Sequence, residues 1–160
     1  MNENDGLYFG VRVLRNRLYE DVKISLGLEM RMTEGLRSIQ DQAARYAQGR
    51  TMPGPIVTRA KPGYSFHNYG LAFDSCFKGK DPYLESMRTH DPKQYEYCWQ
   101  KFGDLAKSHG LFWGGDFKTL SDRPHCEKRY GLSINELHDM YDKVGLSGIH
   151  EYLKTIEGGT

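Results

Sequence analysis

Ser65-Phe-His67-Asn-Tyr-Gly70-Leu-Ala72-Phe-Asp74-Ser-Cys76-Phe77 is the stretch whose reading decides the fold. Its second half is apolar and short, as expected of a buried strand, and a turn at Asn68 and Gly70 precedes it. A carboxylate inside such a strand is costly to bury unless it is paired or bound to a metal, so Asp74 calls for a partner. His67, seven positions earlier, lies on the far side of the turn and can be aimed at the same point. Downstream, Asp122-Arg-Pro124-His125 supplies a second histidine and a spare acid. Two histidines and one carboxylate suit a catalytic zinc, with three protein ligands and a position left open for water. Pro124 biases Arg123 toward extended geometry, so Asp122 and His125 are not on a helix; a tight turn is needed to bring them together. In that arrangement Asp122 takes the proton from the water, and the constellation reads as a metallohydrolase.

Working outward, Leu7 to Leu26 repeats apolar residues at steps of three and four, which predicts a helix stopped at Gly27. Leu28 to Thr33 alternates with period two and predicts a strand. Ser38 predicts the cap of a helix running to Gln48 and closed by Gly49. Residues 51–63 hold three prolines and two glycines and read as a loop, with Ile56-Val57-Thr58 as a piece able to pair on a sheet edge. Residues 78–92 read as a polar surface insertion, and 95–109 as a helix ended by Gly110. Leu111 to Phe117 reads as a strand with a bulge at its paired glycines. A helical pair follows over 133–142 and 147–156, the first capped by Ser133 with Glu136. These elements predict a single α+β domain over 1–160, with a motif core at about 28–127, a helical C-terminal segment at 131–156, and no separate wall-binding domain.

Composition narrows the function. The chain has 160 residues, 22 basic against 21 acidic and a net charge of +1, so the basic stripe of a nucleic-acid binder is absent. No run approaches the roughly 18 apolar residues that span a membrane. The first residues lack the basic and apolar regions of a secretory signal, so synthesis in the cytoplasm is expected. Cys76, Cys98 and Cys126 are an odd, sparse set and read as reduced thiols. Cys76 and Cys126 flank the expected ligands and are alternative sulfur donors, although Cys126 points away from His125 if the backbone there is extended. The remaining histidines, His90, His109, His138 and His150, read as structural or exposed.

The run Ser65-x-His67-x-x-Gly70-x-Ala72-x-Asp74 with Asp122-x-x-His125 resembles the signature of zinc peptidases that cut peptidoglycan stem peptides, the D-Ala-D-Ala peptidase-like (Hedgehog-like) family. Gly35-Leu-Arg37-Ser with Gln42, Tyr46 to Gly54, Ile56-Val-Thr58, Pro62-Gly63 and Gly110 to Asp116 follow its L-alanyl-D-glutamate endopeptidase branch, which includes phage lysis enzymes. The D-Ala-D-Ala enzymes of this family usually place Glu three residues before the last histidine; Asp122 is the shorter acid of the endopeptidases. The resemblance implies a small antiparallel sheet flanked by helices, with one zinc per chain in a cleft on the sheet. It implies His67, Asp74 and His125 as metal ligands, Asp122 as catalytic base, and Arg37 as the cation for the oxyanion. Gln42 and Ser65 are then expected at the substrate, and Trp113 and Asp116 as cleft wall or as acceptors behind the ligating histidines. The partner expected is the stem peptide, met by a monomer that acts on the wall or periplasm after release, as an endolysin does. Two alternatives use the same scaffold: a D-alanyl-D-alanine carboxypeptidase or dipeptidase, for which Arg59, Lys61 and Arg123 are available cations, and a zinc-binding domain without activity.

Overall fold

The computed structural model describes residues 5–158. Helix α1 (Phe9–Leu26) forms where the three-and-four spacing runs, buries Val11, Leu18 and Val22, and ends on Gly27 in the left-handed conformation. Strand β1 (Met30–Glu34) follows, then α2 (Ile39–Ala47), whose first turn is capped by the Ser38 hydroxyl accepting from the Asp41 N–H. Strand β2 (Ala72–Phe77) is followed by α3 (Glu85–His90) and α4 (Pro92–Ser108). Two short strands, β3 (Phe112–Trp113) and β4 (His125–Glu127), precede α5 (Ile134–Gly158), which is broken at Gly145 into the expected helical pair.

The four strands form one antiparallel sheet in the order β1-β2-β4-β3. Alternation gives it two different faces. Phe73, Ser75 and Phe77 of β2 turn toward the helices: Phe73 meets Tyr19 edge-on, Ser75 bonds the Tyr19 hydroxyl, and Phe77 packs on Trp99 of α4. Cys126 lies opposite Phe73 and joins that core, so it faces away from its neighbours His125 and Glu127. On the other face Asp74 lies directly opposite His125 on one side and Glu34 on the other. The register of β1 slips between Met32 and Glu34, and this bulge sets Glu34, rather than Thr33, beside Asp74.

Three expectations are corrected. Ile56-Val57-Thr58 forms no strand; that segment is held by side chains, with Gln42 donating to the Ala60 carbonyl and Arg50 to the Thr58 carbonyl. The 78–92 insertion contains α3, started by the Asp81 carboxylate accepting from the N–H groups of Glu85 and Ser86. The strand expected over 111–117 stops at Trp113, because the chain turns sharply at Gly114. Among the described residues, no helix is long and apolar enough to cross a membrane.

Candidate active site

The turn Phe66–Tyr69 carries His67 to the edge of the sheet. Gly70 ends it with φ of 69°, and a Cβ there would sit 2.6 Å from the Gly6 carbonyl oxygen, so the position requires glycine twice over. The turn is stitched to the β1–α2 connection: the Arg37 N–H donates to the His67 carbonyl at 3.0 Å, and Asn68 Nδ2 to the Arg37 carbonyl at 3.0 Å. Ser65 starts the turn, its N–H donating to Asn68 Oδ1, and it lines the adjoining cleft.

His67, Asp74 and His125 converge. Asp74 Oδ1 lies 3.3 Å from His67 Nε2 and 3.1 Å from His125 Nδ1, and the two nitrogens are 3.2 Å apart. This near-equilateral triangle can hold a metal ion. Tetrahedral donors at zinc distances of about 2.0–2.1 Å are separated by about 3.3–3.4 Å, so the spacing fits. The other nitrogen of each ring is committed: His67 Nδ1 to the Gly35 carbonyl at 2.8 Å, and His125 Nε2 to Glu127 Oε2 at 2.9 Å. With those N–H groups donated outward, the inner nitrogens present lone pairs. Among the described residues no fourth side chain joins the cluster.

In the metal-free protein the carboxylates and the His125 ring stabilise each other's charged forms, so a metal must displace a proton from His125. Burial alone would raise the Asp74 carboxyl, yet its hydrogen bonds to His125 and His67 keep it far below the usual carboxylate range. Burial would lower His125; Asp74 and Glu127 overcome it and push the ring up to about 9 in the metal-free protein. Asp122 stands at the cleft rim on a turn closed by the His125 N–H and the Asp122 carbonyl at 3.1 Å. Partial burial, helped by the charge of Asp74, raises its carboxyl against the pull of His125, His67 and Arg37. Gly114 lets this turn approach: a Cβ there would lie 2.3 Å from the Asp122 carbonyl oxygen and 2.9 Å from His125 Cβ.

Arg37 lines the same cleft, which encloses about 370 Å³. Its guanidinium is clamped by both oxygens of Glu34, at 2.8 and 2.6 Å, and by Gln42 Oε1 at 2.7 Å, with Nη2 3.9 Å from Asp74. Gln42 is fully buried, and its amide nitrogen is spent on Thr58 Oγ1 and the Ala60 carbonyl. It therefore positions Arg37 and the 58–60 segment rather than facing a substrate, a correction to the sequence expectation. Asp116 is corrected as well: it is exposed and paired with Lys107 at 3.0 Å, and neither histidine uses it. Trp113 is buried behind the site, its indole N–H donating to the Arg123 carbonyl at 2.8 Å, so it supports the Asp122–His125 turn from the rear.

Sequence reasoning missed Glu34 and Glu127. Glu127 is two residues past His125 on a strand, hence on the same face, and that spacing was the available signal. It also receives Arg129 at 2.6 Å, and Arg129 lies over the Phe112 ring at 3.9 Å. Of the remaining histidines, His109 pairs with Asp21, His138 stacks on Tyr64, and His150 Nε2 donates to the Tyr69 carbonyl at 2.8 Å.

Residues 58–128 match the family model described as D-alanyl-D-alanine carboxypeptidase. The chain is 42% identical over 102 residues to the peptidoglycan L-alanyl-D-glutamate endopeptidase CwlK of Bacillus subtilis, an alignment covering 63% of this chain and 61% of that relative. The solved LdcB LD-carboxypeptidase superposes with a TM-score of 0.54 at 20% identity, covering 94% of this chain and 80% of its own. The vancomycin-resistance D,D-dipeptidase VanXYg gives 0.52 at 18%, covering 86% and 60%. The two solved structures establish that the chain shares their α+β fold.

Proposed function

We propose, from the premise that residues 58–128 carry the D-alanyl-D-alanine carboxypeptidase family pattern, that this protein is a zinc-dependent peptidoglycan hydrolase cutting the L-Ala–D-Glu bond of the stem peptide. The observation that carries the chemistry is the open triangle of His67 Nε2, Asp74 Oδ1 and His125 Nδ1, with Asp122 on the same cleft. The choice of bond is supported by the likeness to CwlK, of whose length the chain spans 61%.

His67, Asp74 and His125 would hold the zinc, which would acidify water toward a pKa of about 7 and polarise the scissile carbonyl. Asp122 accepts the proton of the attacking water at a carboxylate oxygen and delivers it to the leaving nitrogen. Its raised affinity for protons suits that second transfer. Arg37 faces the developing oxyanion with a charge that does not titrate away, and Glu34 and Gln42 fix its plane so that little reorganisation is needed. Ser65, on the cleft wall, contacts the substrate backbone. The three-donor site and the retained acid Asp122 support this reading over a zinc-binding domain without activity, which needs no spare base and normally closes its metal with a fourth protein ligand. Action is on the wall, by a monomeric catalytic domain in the manner of a lysis enzyme.

The test is mass spectrometry of peptidoglycan digested by the zinc-loaded protein, beside a chelator-treated control. New L-Ala ends and peptides beginning at D-Glu, both lost with chelator, are expected. Release of D-alanine instead would assign the carboxypeptidase reaction.

A further inference from the structure

Four arginines line the cleft: Arg37, Arg45, Arg59 and Arg129. Three are committed. Arg37 and Arg45 share Glu34, at 2.6 and 2.8 Å, and Arg129 is held by Glu127 at 2.6 Å. Arg59 makes no ion pair among the described residues and is exposed to the cleft it lines. Its backbone is nevertheless fixed. Gln42 Nε2 binds the Ala60 carbonyl at 2.8 Å and Thr58 Oγ1 at 3.3 Å, while Arg50 Nη2 binds the Thr58 carbonyl at 3.1 Å. A free cation is thus presented from a pinned segment, and the buried side chain that pins it also sets Arg37.

The substrate chemistry gives this cation a task. In a stem peptide D-Glu is joined onward through its γ-carboxyl, so the carbon bearing the scissile nitrogen carries a free α-carboxylate. That anion must enter a cleft that already holds Asp74 and Asp122, where like charges repel. We infer that Arg59 is the receptor for the α-carboxylate of the residue that leaves, and that the enzyme selects stem peptides with D-glutamate over those in which that carboxyl is amidated. The inference rests on the proposed endopeptidase reading. A C-terminal D-alanine offers the same chemistry, a carboxylate on the carbon next to the scissile nitrogen, so the two sources are separated by experiment.

The experiment compares kcat/KM of the zinc-loaded protein for an L-Ala-γ-D-Glu-L-Lys peptide and for its α-carboxamide, with Arg59→Gln and Arg59→Lys beside the wild type. A charged hydrogen bond of this kind gives about tenfold discrimination. The wild type should prefer the carboxylate by about that factor, Arg59→Gln should bring the ratio toward one, and Arg59→Lys should restore part of it. Inhibition by the product γ-D-Glu-L-Lys should weaken in Arg59→Gln in the same proportion. Equal rates on both peptides in the wild type, or an unchanged ratio in Arg59→Gln, overturn the inference while leaving the endopeptidase reading intact. Release of D-alanine from a D-Ala-D-Ala peptide, lost in Arg59→Gln, assigns the cation to that carboxylate and overturns the D-glutamate assignment. Cleavage of neither peptide overturns the endopeptidase reading and this inference together.

Discussion

Replacing Gly114 by alanine tests whether the site depends on how closely the Asp122–His125 turn is seated. Gly114 is not among the residues with positive φ, so the backbone itself accepts alanine. The added Cβ would lie 2.3 Å from the Asp122 carbonyl oxygen, a contact that real structures do not show below 3.0 Å. The turn must therefore retreat by at least 0.7 Å, the difference between those two distances. His125 Cβ, 2.9 Å from the new methyl, is pushed in the same event. Overpacking of this kind costs about 1–3 kcal/mol, and a displacement near 1 Å at reacting groups costs about 100-fold in rate. The expected result is a Tm lower by roughly 2–10 °C for the metal-free protein. With saturating zinc, kcat on a stem peptide should fall between tenfold and 100-fold. Differential scanning calorimetry and a product assay read the two effects separately. A Gly114→Ala protein with wild-type kcat would show that the turn's position does not govern the chemistry, and the account of Gly114 would fail.

Asp122→Asn should keep stoichiometric zinc and lose turnover by about 100-fold or more, judged by metal analysis beside the product assay; loss of the metal would make Asp122 a ligand instead. Glu127→Ala removes the acceptor of His125 Nε2–H and should weaken zinc binding about 10–100-fold in a chelator competition, with Glu127→Gln recovering part of it; unchanged affinity would sink the role given to Glu127. The metal-free protein carries a proton on His125 at pH 7, since that ring is pushed up to about 9, so zinc uptake at pH 7 should release a proton. Calorimetric titrations in two buffers of different ionisation heat measure that proton, and identical heats would refute it. Because the folded value is raised, the group's contribution to metal-free stability is full below about 6.5 and is lost as pH climbs through about 9.

The parts of the site that were legible in the sequence are those that break a local rule. An acid in the apolar strand 72–77 stands out because it is costly to bury without a partner, and the Asp122–His125 pair because it completes the motif that Asp74 begins. Glu127 shares a face with His125 two positions earlier, a local signal that is easily read as an ordinary polar position, whereas nothing local announces Glu34. Only the register places Glu34, and the slip between Met32 and Glu34 is fixed by tertiary pairing. Gln42 was legible as important and misread in role, since its three partners, Arg37, Thr58 and Ala60, come from two segments distant from each other in sequence. The strand expected at 56–58 failed for a related reason. Its β-branched residues favour a strand, but side chains rather than a neighbouring strand take the hydrogen bonds of Thr58.

The hydrogen bond from His150 to the Tyr69 carbonyl joins residues 81 positions apart and anchors the turn that carries His67. A ribosome adding about 5–20 residues per second needs roughly 4–16 s to travel that distance. For that interval the nascent chain carries His67 on a turn that lacks its distal anchor. The helix that carries His150 thus completes the support of a turn made long before it.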